Sequence, residues 1–271
     1  MKIGTILTAT DLNPLYSDFI PIFIKAWNKI VPTANVIIIL IANSIPDELI
    51  QYKNNIKLFN PMPNISNSFV SQCIRILYPR QVESNDGVLI SDIDMIPLNK
   101  KYYVDSIKDI DNSTFISYRD VLGSEQIAIC YNVATPEIWK SLIGNEDTKL
   151  LLENWYPAYN GISGGKGWYT DQEKLAEYYK KYNGNKIMLN DKLTGFNRLD
   201  RIDNIKISEK LKNHIYSGVY SDYHCMRPYQ EFKELNDFVL NSLPQYGGRR
   251  KINRNRKSKV KSKKRKSRRI K

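Results

Sequence analysis

Two acids one residue apart, Asp92 and Asp94, close the segment Gly87-Val88-Leu89-Ile90-Ser91-Asp92-Ile93-Asp94, and Met95-Ile96-Pro97-Leu98 follows. Val88 to Ile90 is an apolar run after an Asn85-Asp86-Gly87 turn signal, so it reads as a buried strand that Pro97 prevents from continuing. The acids then stand at the strand's carboxyl edge. In extended chain the side chains at i and i+2 point the same way, so Asp92 and Asp94 converge on one ligand while Ile93 turns into the core. Two carboxylates aimed at one point repel each other unless a cation lies between them, and a divalent ion with oxygen ligands meets that need. Capping of the following turn is the plainer alternative for an isolated D-x-D. The buried-strand context favours a ligand, because open α/β sheets bind ligands beyond the carboxyl ends of their strands.

Other residues offer chemistry beside plainer readings. Arg75 lies on a helical stretch, Ser66 to Tyr78, on a face with Ser68 and Gln72 and away from the apolar stripe of Phe69, Val70, Cys73, Ile74 and Leu77. It is either solvated or placed to grip a diphosphate bidentately. Asp171, after Gly164-Gly165-Lys166-Gly167-Trp168-Tyr169-Thr170, is either an acid suiting a helix dipole or a general base. His224, in a polar and aromatic stretch that reads as a loop, is either ordinary surface or core, or the third protein ligand of an ion held by Asp94, which manganese would accept. His214 reads as exposed, and Asn197-Arg198-Leu199-Asp200-Arg201 reads equally well as a surface salt-bridge cluster. The glycine-rich stretch at 160–168 is not a phosphate loop. Gly161 to Lys166 is one residue short of that pattern, Gly167 stands where Ser or Thr should bind magnesium, and no clear strand precedes it. The dinucleotide fingerprint fails too, since Thr170 replaces the last Gly or Ala. A loop beside a sugar or other polar substrate is the remaining reading.

These groups need an α/β frame to position them. Residues 2–9 predict a first strand, Pro14 to Ile30 an amphipathic helix, and Asn35 to Ala42 a fully buried strand, which implies a right-handed parallel crossover. A short helix near 46–52, a strand at 56–59, the Arg75 helix and the strand before Asp92 repeat the unit. Strands at 115–118, 127–131 and 186–190 follow, with helices from a Thr135 cap and Pro136, at 148–156, from a Thr170 to Glu173 capping box to about Tyr182, and at 229–240. A turn of helix at 208–212 completes the list, and the chain shows no internal repeat.

The formal charge of +13 belongs to the end of the chain. Fifteen of the 41 Lys/Arg fall in residues 249–271, which hold no acid, so 26 face 28 acidic groups in residues 1–248. Gly247-Gly248 marks a boundary, and the tract beyond it has almost nothing to bury and is expected to be disordered. Cys73, Cys130 and Cys225 are odd in number and lack C-x-x-C spacing, which suits a reducing compartment with Cys73 and Cys130 packing as small apolar residues. The longest apolar stretch, Val36 to Ala42, is too short to span a bilayer, and the first residues lack a signal peptide's apolar length and cleavage site. The expectation is a soluble cytoplasmic protein.

Taken in order, Thr8-Ala9-Thr10-Asp11, the Arg75 helix, Leu89 to Leu98 with its D-x-D, Trp168-Tyr169-Thr170-Asp171-Gln172 and His224 resemble the GT-A glycosyltransferases. The similarity is closest to glycosyltransferase domains of large DNA viruses, a rhamnosyltransferase domain among them, and covers residues 1–240. It implies a Rossmann-like mixed sheet flanked by helices over residues 1–246, with the basic tail at 247–271. It also implies metal-dependent transfer of a sugar from a nucleotide-diphosphate sugar, foremost a UDP-sugar, to a hydroxyl of a glycan or glycoprotein acceptor. By the same resemblance Thr8, Thr10 and Asp11 contact base and ribose, Arg75 lies near the phosphates, and Asp92 reaches the ribose or the metal. Asp94 and His224 hold Mn²⁺ or Mg²⁺ on the diphosphate. Asp171 is the base if the reaction inverts, whereas retaining members need none. A viral relative would work in host cytoplasm or with the virion.

Two rival classes fit parts of the sequence. Haloacid-dehalogenase-type phosphatases place a nucleophilic D-x-D after a buried strand, but usually near the N-terminus and with Thr or Val where Ile96 stands. A polyanion-binding virion or nuclear protein would act through the tail, as a nuclear signal or as an anchor to nucleic acid or anionic surfaces.

Overall fold

Residues 1–162 and 164–244 are described by a computed structural model. Strand β1 (Ile3–Asp11) is followed by helices α1 (Pro14–Ser17) and α2 (Ile20–Ile30), then β2 (Asn35–Ile41), β3 (Ile56–Phe59), α3 (Asn67–Leu77) and β4 (Gly87–Ile90). β1 pairs in parallel with β2 and β4, and β2 in parallel with β3, as the strand-helix-strand spacing implies. The second half adds β5 (Met95–Pro97), β6 (Phe115–Ser117), β7 (Asn132–Ala134), α4 (Pro136–Ile143), α5 (Thr148–Trp155), α6 (Thr170–Lys181), β8 (Lys186–Met188), β9 (Asn197–Leu199), α7 (Glu209–Tyr216), β10 (Tyr220–His224) and α8 (Lys233–Asn241). The main sheet runs β3-β2-β1-β4-β7-β6-β8, and a small sheet runs β5-β10-β9. β7 is antiparallel to both β4 and β6, which makes the main sheet mixed, with helices on both faces. No helix of the described residues is long and apolar enough to cross a membrane.

Alternation along the central strands produces the two cores. Ile6, Ile38 and Leu40 face α2 through Phe23 and Trp27, while Leu7, Ile39 and Ile41 face α3 through Phe69 and Ile74. Cys73, Cys130 and Cys225 are all free and buried.

Several elements differ from expectation for identifiable reasons. The single helix expected over 14–30 is two, because Pro21 has no N–H for the Ser17 carbonyl and sits instead in the first turn of α2. Residues 127–131 are buried but form no strand. The Asn132 side chain donates to the carbonyls of Ala128 and Ile129, both at 2.8 Å, which satisfies backbone that a ladder would otherwise pair. The Thr170 capping box does not form: α6 begins at Thr170, whose hydroxyl donates to the Gly167 carbonyl at 2.6 Å. The stretch containing His224 is a strand, β10, antiparallel to β5 and parallel to β9. α7 is longer than one turn, and α8 starts at Lys233, later than Tyr229. The boundary at 247–248 and the tail lie outside the described residues.

Candidate active site

The carboxyl ends of β1 and β4 open into a cavity of about 570 Å³. β1 brings Thr10 and Asp11 to its wall, α3 brings Arg75, the turn after β4 brings Asp92 and Asp94, the first turn of α6 brings Asp171, and β10 brings His224. Thr8 does not line it. Thr8 shares Thr10's side of β1 but lies two residues deeper, fully buried, with no hydrogen-bond partner for its hydroxyl among the described residues. Asp11 accepts from the Asn13 amide at 3.0 Å, which turns the chain into α1 at the cavity rim.

The charged side chains sort into two clusters. In the first, one guanidinium joins two carboxylates: Arg75 Nη1 contacts Asp92, and Nη2 donates to Asp171 Oδ2 at 2.9 Å. Arg75 is only 8% exposed and Asp171 3%, so the solvated reading of Arg75 is wrong. A helical position facing the sheet's carboxyl end buries the arginine against acids from two other elements. Asp171 Oδ1 accepts from the Gln172 amide at 2.9 Å. Burial is the main influence on the Asp171 carboxyl and raises its pKa, against the opposing charge of Arg75.

The second cluster surrounds Asp94, which is 5% exposed. Its Oδ2 lies 3.1 Å from Arg201 Nη1, 3.5 Å from Arg227 Nε and 3.6 Å from His224 Nε2. The other terminal nitrogen of Arg201 rests against His224 Nε2, and His224 Nδ1 lies 3.3 Å from Asp200 Oδ1. With Nδ1–H donating to Asp200, Nε2 turns a lone pair toward Arg201 and the cavity. Burial alone would raise the Asp94 carboxyl. His224, Arg227 and Arg201, all within 3.6 Å of its Oδ2, outweigh it and hold the group well below the usual carboxylate range.

The expected set of Asp92, Asp94 and His224 therefore does not converge on one point. Ile93 and Asp94 form a turn, closed by the Met95 amide on the Asp92 carbonyl at 3.2 Å, where an extended step was expected, so each acid meets different cations. Among the described residues no three His, Cys, Asp or Glu side chains gather as a metal-ligating group. Asp94 and His224 alone fit two neighbouring positions of one ion: their 3.6 Å separation suits ligands that each bond at about 2.1 Å and so stand roughly 3–4 Å apart.

Behind this cluster Arg198 grips Asp222, Nη2 to Oδ2 at 2.6 Å, and Tyr131 donates to the same oxygen at 2.9 Å. Burial would raise the 1%-exposed Asp222, but Arg198 and then Arg119 bring its pKa below normal. Arg119 and Arg198 also line the cavity, so the two arginines of the 197–201 stretch, Arg198 and Arg201, belong to the site's wall. The sequence did not single out Arg227 or Asp222, and it offered Asp200 and Arg201 only as part of the 197–201 stretch. One signal was available: Asp222 and His224 stand at i and i+2 around the apolar Tyr223, the same spacing that drew attention to Asp92 and Asp94.

No family model and no curated protein matches the sequence. Among solved structures the chain is similar to the galactosyltransferase LgtC in complex with donor and acceptor sugar analogues, at 12% identity and a TM-score of 0.48, over 90% of this chain and 98% of that one. It is similar to the glycosyltransferase GlyE of Streptococcus pneumoniae TIGR4, at 12% identity and 0.45, over 91% of this chain and 66% of that one. A glycosyltransferase involved in the glycosylation of the major capsid of PBCV-1 is similar at 13% identity and 0.45, over 87% and 98%. With likeness of that degree, the chemistry rests on this chain's own side chains.

Proposed function

We propose that the chain is a glycosyltransferase that moves a sugar from a nucleotide-diphosphate sugar to a hydroxyl of a glycan or glycoprotein acceptor. The observation that carries this reading is the meeting of Asp94 and His224 at the carboxyl end of β4, in a cavity also walled by Arg75, Arg201 and Arg227. Carboxylate and imidazole beside guanidinium groups suit a diphosphate that carries a divalent ion. Asp94 and His224 would hold Mn²⁺ or Mg²⁺, with phosphate oxygens and water in the other positions. When bound, the ion supplies positive charge where the departing diphosphate becomes negative. Thr10 and Asp11 face the base and ribose of the donor, UDP foremost, Asp92 serves the ribose, and Arg75 lies toward the phosphates.

In the transfer the acceptor oxygen bonds to the anomeric carbon, its proton passes to Asp171, and the bond to the diphosphate breaks with its electron pair on the phosphate oxygen. A carboxylate with a raised pKa is the stronger base, which fits Asp171 for this proton in an inverting reaction. The phosphatase alternative would need Asp92 as a free nucleophile, and its carboxylate is held by Arg75. The fifteen cations at 249–271 would add salt-sensitive polyanion binding to the enzymology, in cytoplasm, nucleus or virion.

The test is thermal unfolding with UDP-, GDP- and dTDP-sugars, each with and without Mn²⁺. A donor at a hundredfold its Kd stabilises by about 2.7 kcal/mol, or roughly 5–10 °C for a body of this size. One nucleotide class should give that shift with Mn²⁺ only, and Asp94→Asn should abolish both the shift and turnover while remaining folded. Full activity in that variant removes Asp94 from the site, and no shift with any donor refutes the function.

A further inference from the structure

The cation place between Asp94 and His224 is filled by a side chain of the protein. Arg201 uses one terminal nitrogen on Asp94 Oδ2 and the other on His224 Nε2, the two atoms whose spacing suits a divalent ion. The other arginines of the wall are committed elsewhere: Arg75 to Asp92 and Asp171, Arg198 to Asp222, and Arg119 to Asp191. Arg227 is shared between Asp94 and the face of the Tyr16 ring, 4.8 Å from its centroid. Arg201 is thus the guanidinium whose partners a metal would take over.

We propose that Arg201 is a phosphate-binding residue held in reserve: its guanidinium occupies the place between Asp94 and His224 until a divalent ion displaces it, and then turns onto the diphosphate. The inference rests on reading the site as one for a metal-bound diphosphate. Arg201 stands in a turn just after β9, where the Asp200 amide donates to Asp203 Oδ2 at 3.0 Å and the Ile202 amide to Asp200 Oδ1 at 3.3 Å. The backbone is therefore fixed on either side, while the long side chain is free to change rotamer. Asp200 also holds His224 by its other nitrogen, so the imidazole keeps its direction when Arg201 leaves. Asp94 stays partly neutralised by Arg227 throughout.

Metal and diphosphate then help each other through Arg201 as well as through direct coordination. A metal arriving alone must evict a charge-assisted contact and leave the guanidinium without an anion. A diphosphate arriving alone finds that guanidinium tied to Asp94. By linkage each ligand strengthens the other by the same factor.

Arg201→Gln separates this role from simple support of the site, because the two predicted changes have opposite signs. Binding of Mn²⁺ alone, read from the free-ion electron paramagnetic resonance signal, should become about tenfold tighter, the scale of one charge-assisted hydrogen bond. Binding of pyrophosphate at saturating Mn²⁺ should weaken by about the same factor. Arg119→Gln, which removes a wall arginine touching neither atom, gives the size of the general charge effect and should change Mn²⁺ binding much less. All three proteins carry the same basic tail, so its affinity for pyrophosphate cancels. If Arg201→Gln binds Mn²⁺ no more tightly than the wild type or Arg119→Gln, the reserve role is refuted while the metal site stands. If no protein binds Mn²⁺, with or without pyrophosphate, the metal-dependent reading falls and this inference falls with it.

Discussion

Replacing Arg75 by Met removes the only cation among the described residues that contacts Asp171 and leaves that carboxylate, 3% exposed, with the Gln172 amide as its remaining donor there. Breaking a buried ion pair from one side costs about 3–5 kcal/mol. Asp92, the other partner of Arg75, has a side chain 33% exposed and loses little, since water can replace the guanidinium there. The cost should depend on pH in a defined direction. Burial already raises the Asp171 pKa, and losing Arg75 removes the main opposing influence, so it rises further. A folded state that holds a proton the unfolded chain has released becomes less stable as pH rises above the unfolded carboxyl's pKa of about 3.9. The loss levels off once the folded group has also ionised. The deficit of Arg75→Met relative to wild type should therefore be smaller at pH 5 than at pH 8. Urea unfolding at the two pH values, with the slope against denaturant unchanged, measures it. Adding Asp171→Asn should restore most of the stability and flatten the pH dependence, because no buried charge then remains. A deficit independent of pH, or a double variant as unstable as the single one, would refute the assignment of the Arg75–Asp171 pair as the source of the cost.

Asp222→Asn should behave with the opposite sign. The pKa of Asp222 is lowered, so its contribution is present above the unfolded carboxyl range and is lost as pH falls through the folded value. The variant should be about 3–5 kcal/mol less stable than wild type at pH 7, with the two unfolding curves converging in acid; parallel curves down to pH 2 would count against it. Removing residues 249–271 takes away 15 cations and should abolish salt-sensitive retention on heparin while sugar transfer continues. Loss of transfer by a folded body would show that the tail belongs to the enzyme.

The parallel half of the fold was legible because its signals are local. Asn35-Val36-Ile37-Ile38-Ile39-Leu40-Ile41 can satisfy its side chains only as a strand buried on both faces, and Asn67–Leu77 has an unambiguous helical stripe. The second half was harder to read, because burial there comes from tertiary partners. The run Ile127 to Tyr131 has the composition of a strand, yet the side chain of Asn132 satisfies its backbone. β10 reads as a loop by composition and becomes a strand through pairing with β5 and β9, neither longer than three residues. The site shows the same division. The D-x-D, Arg75, Asp171 and His224 were visible as residue types in suggestive places. Of their partners, Arg227 was not, and Arg201 read only as part of a surface salt-bridge cluster, because nothing in a linear sequence says which arginine closes on which acid across the fold.

The environments of Asp94 and Asp171 push two buried carboxylates in one cavity in opposite directions. Asp94 has three basic side chains within 3.6 Å, and they overcome the cost of burial, so it stays ionised at any ordinary pH. Asp171 has one guanidinium, shared with Asp92, and burial wins. Acids separated in this way suit separate tasks. On the proposed reaction a permanently charged carboxylate is what an ion-holding position requires, since a proton there would compete with the metal. A carboxylate raised toward neutrality is what an acceptor base requires, since it must take a proton that Asp94 would refuse. Exchanging the roles would need the guanidinium groups to be redistributed: Arg201 and Arg227 reach the Asp94 side from the turn after β9 and the chain after β10, whereas α3 delivers a single arginine to the side of Asp171. The arrangement of the small sheet thus decides which acid holds charge and which can take up a proton.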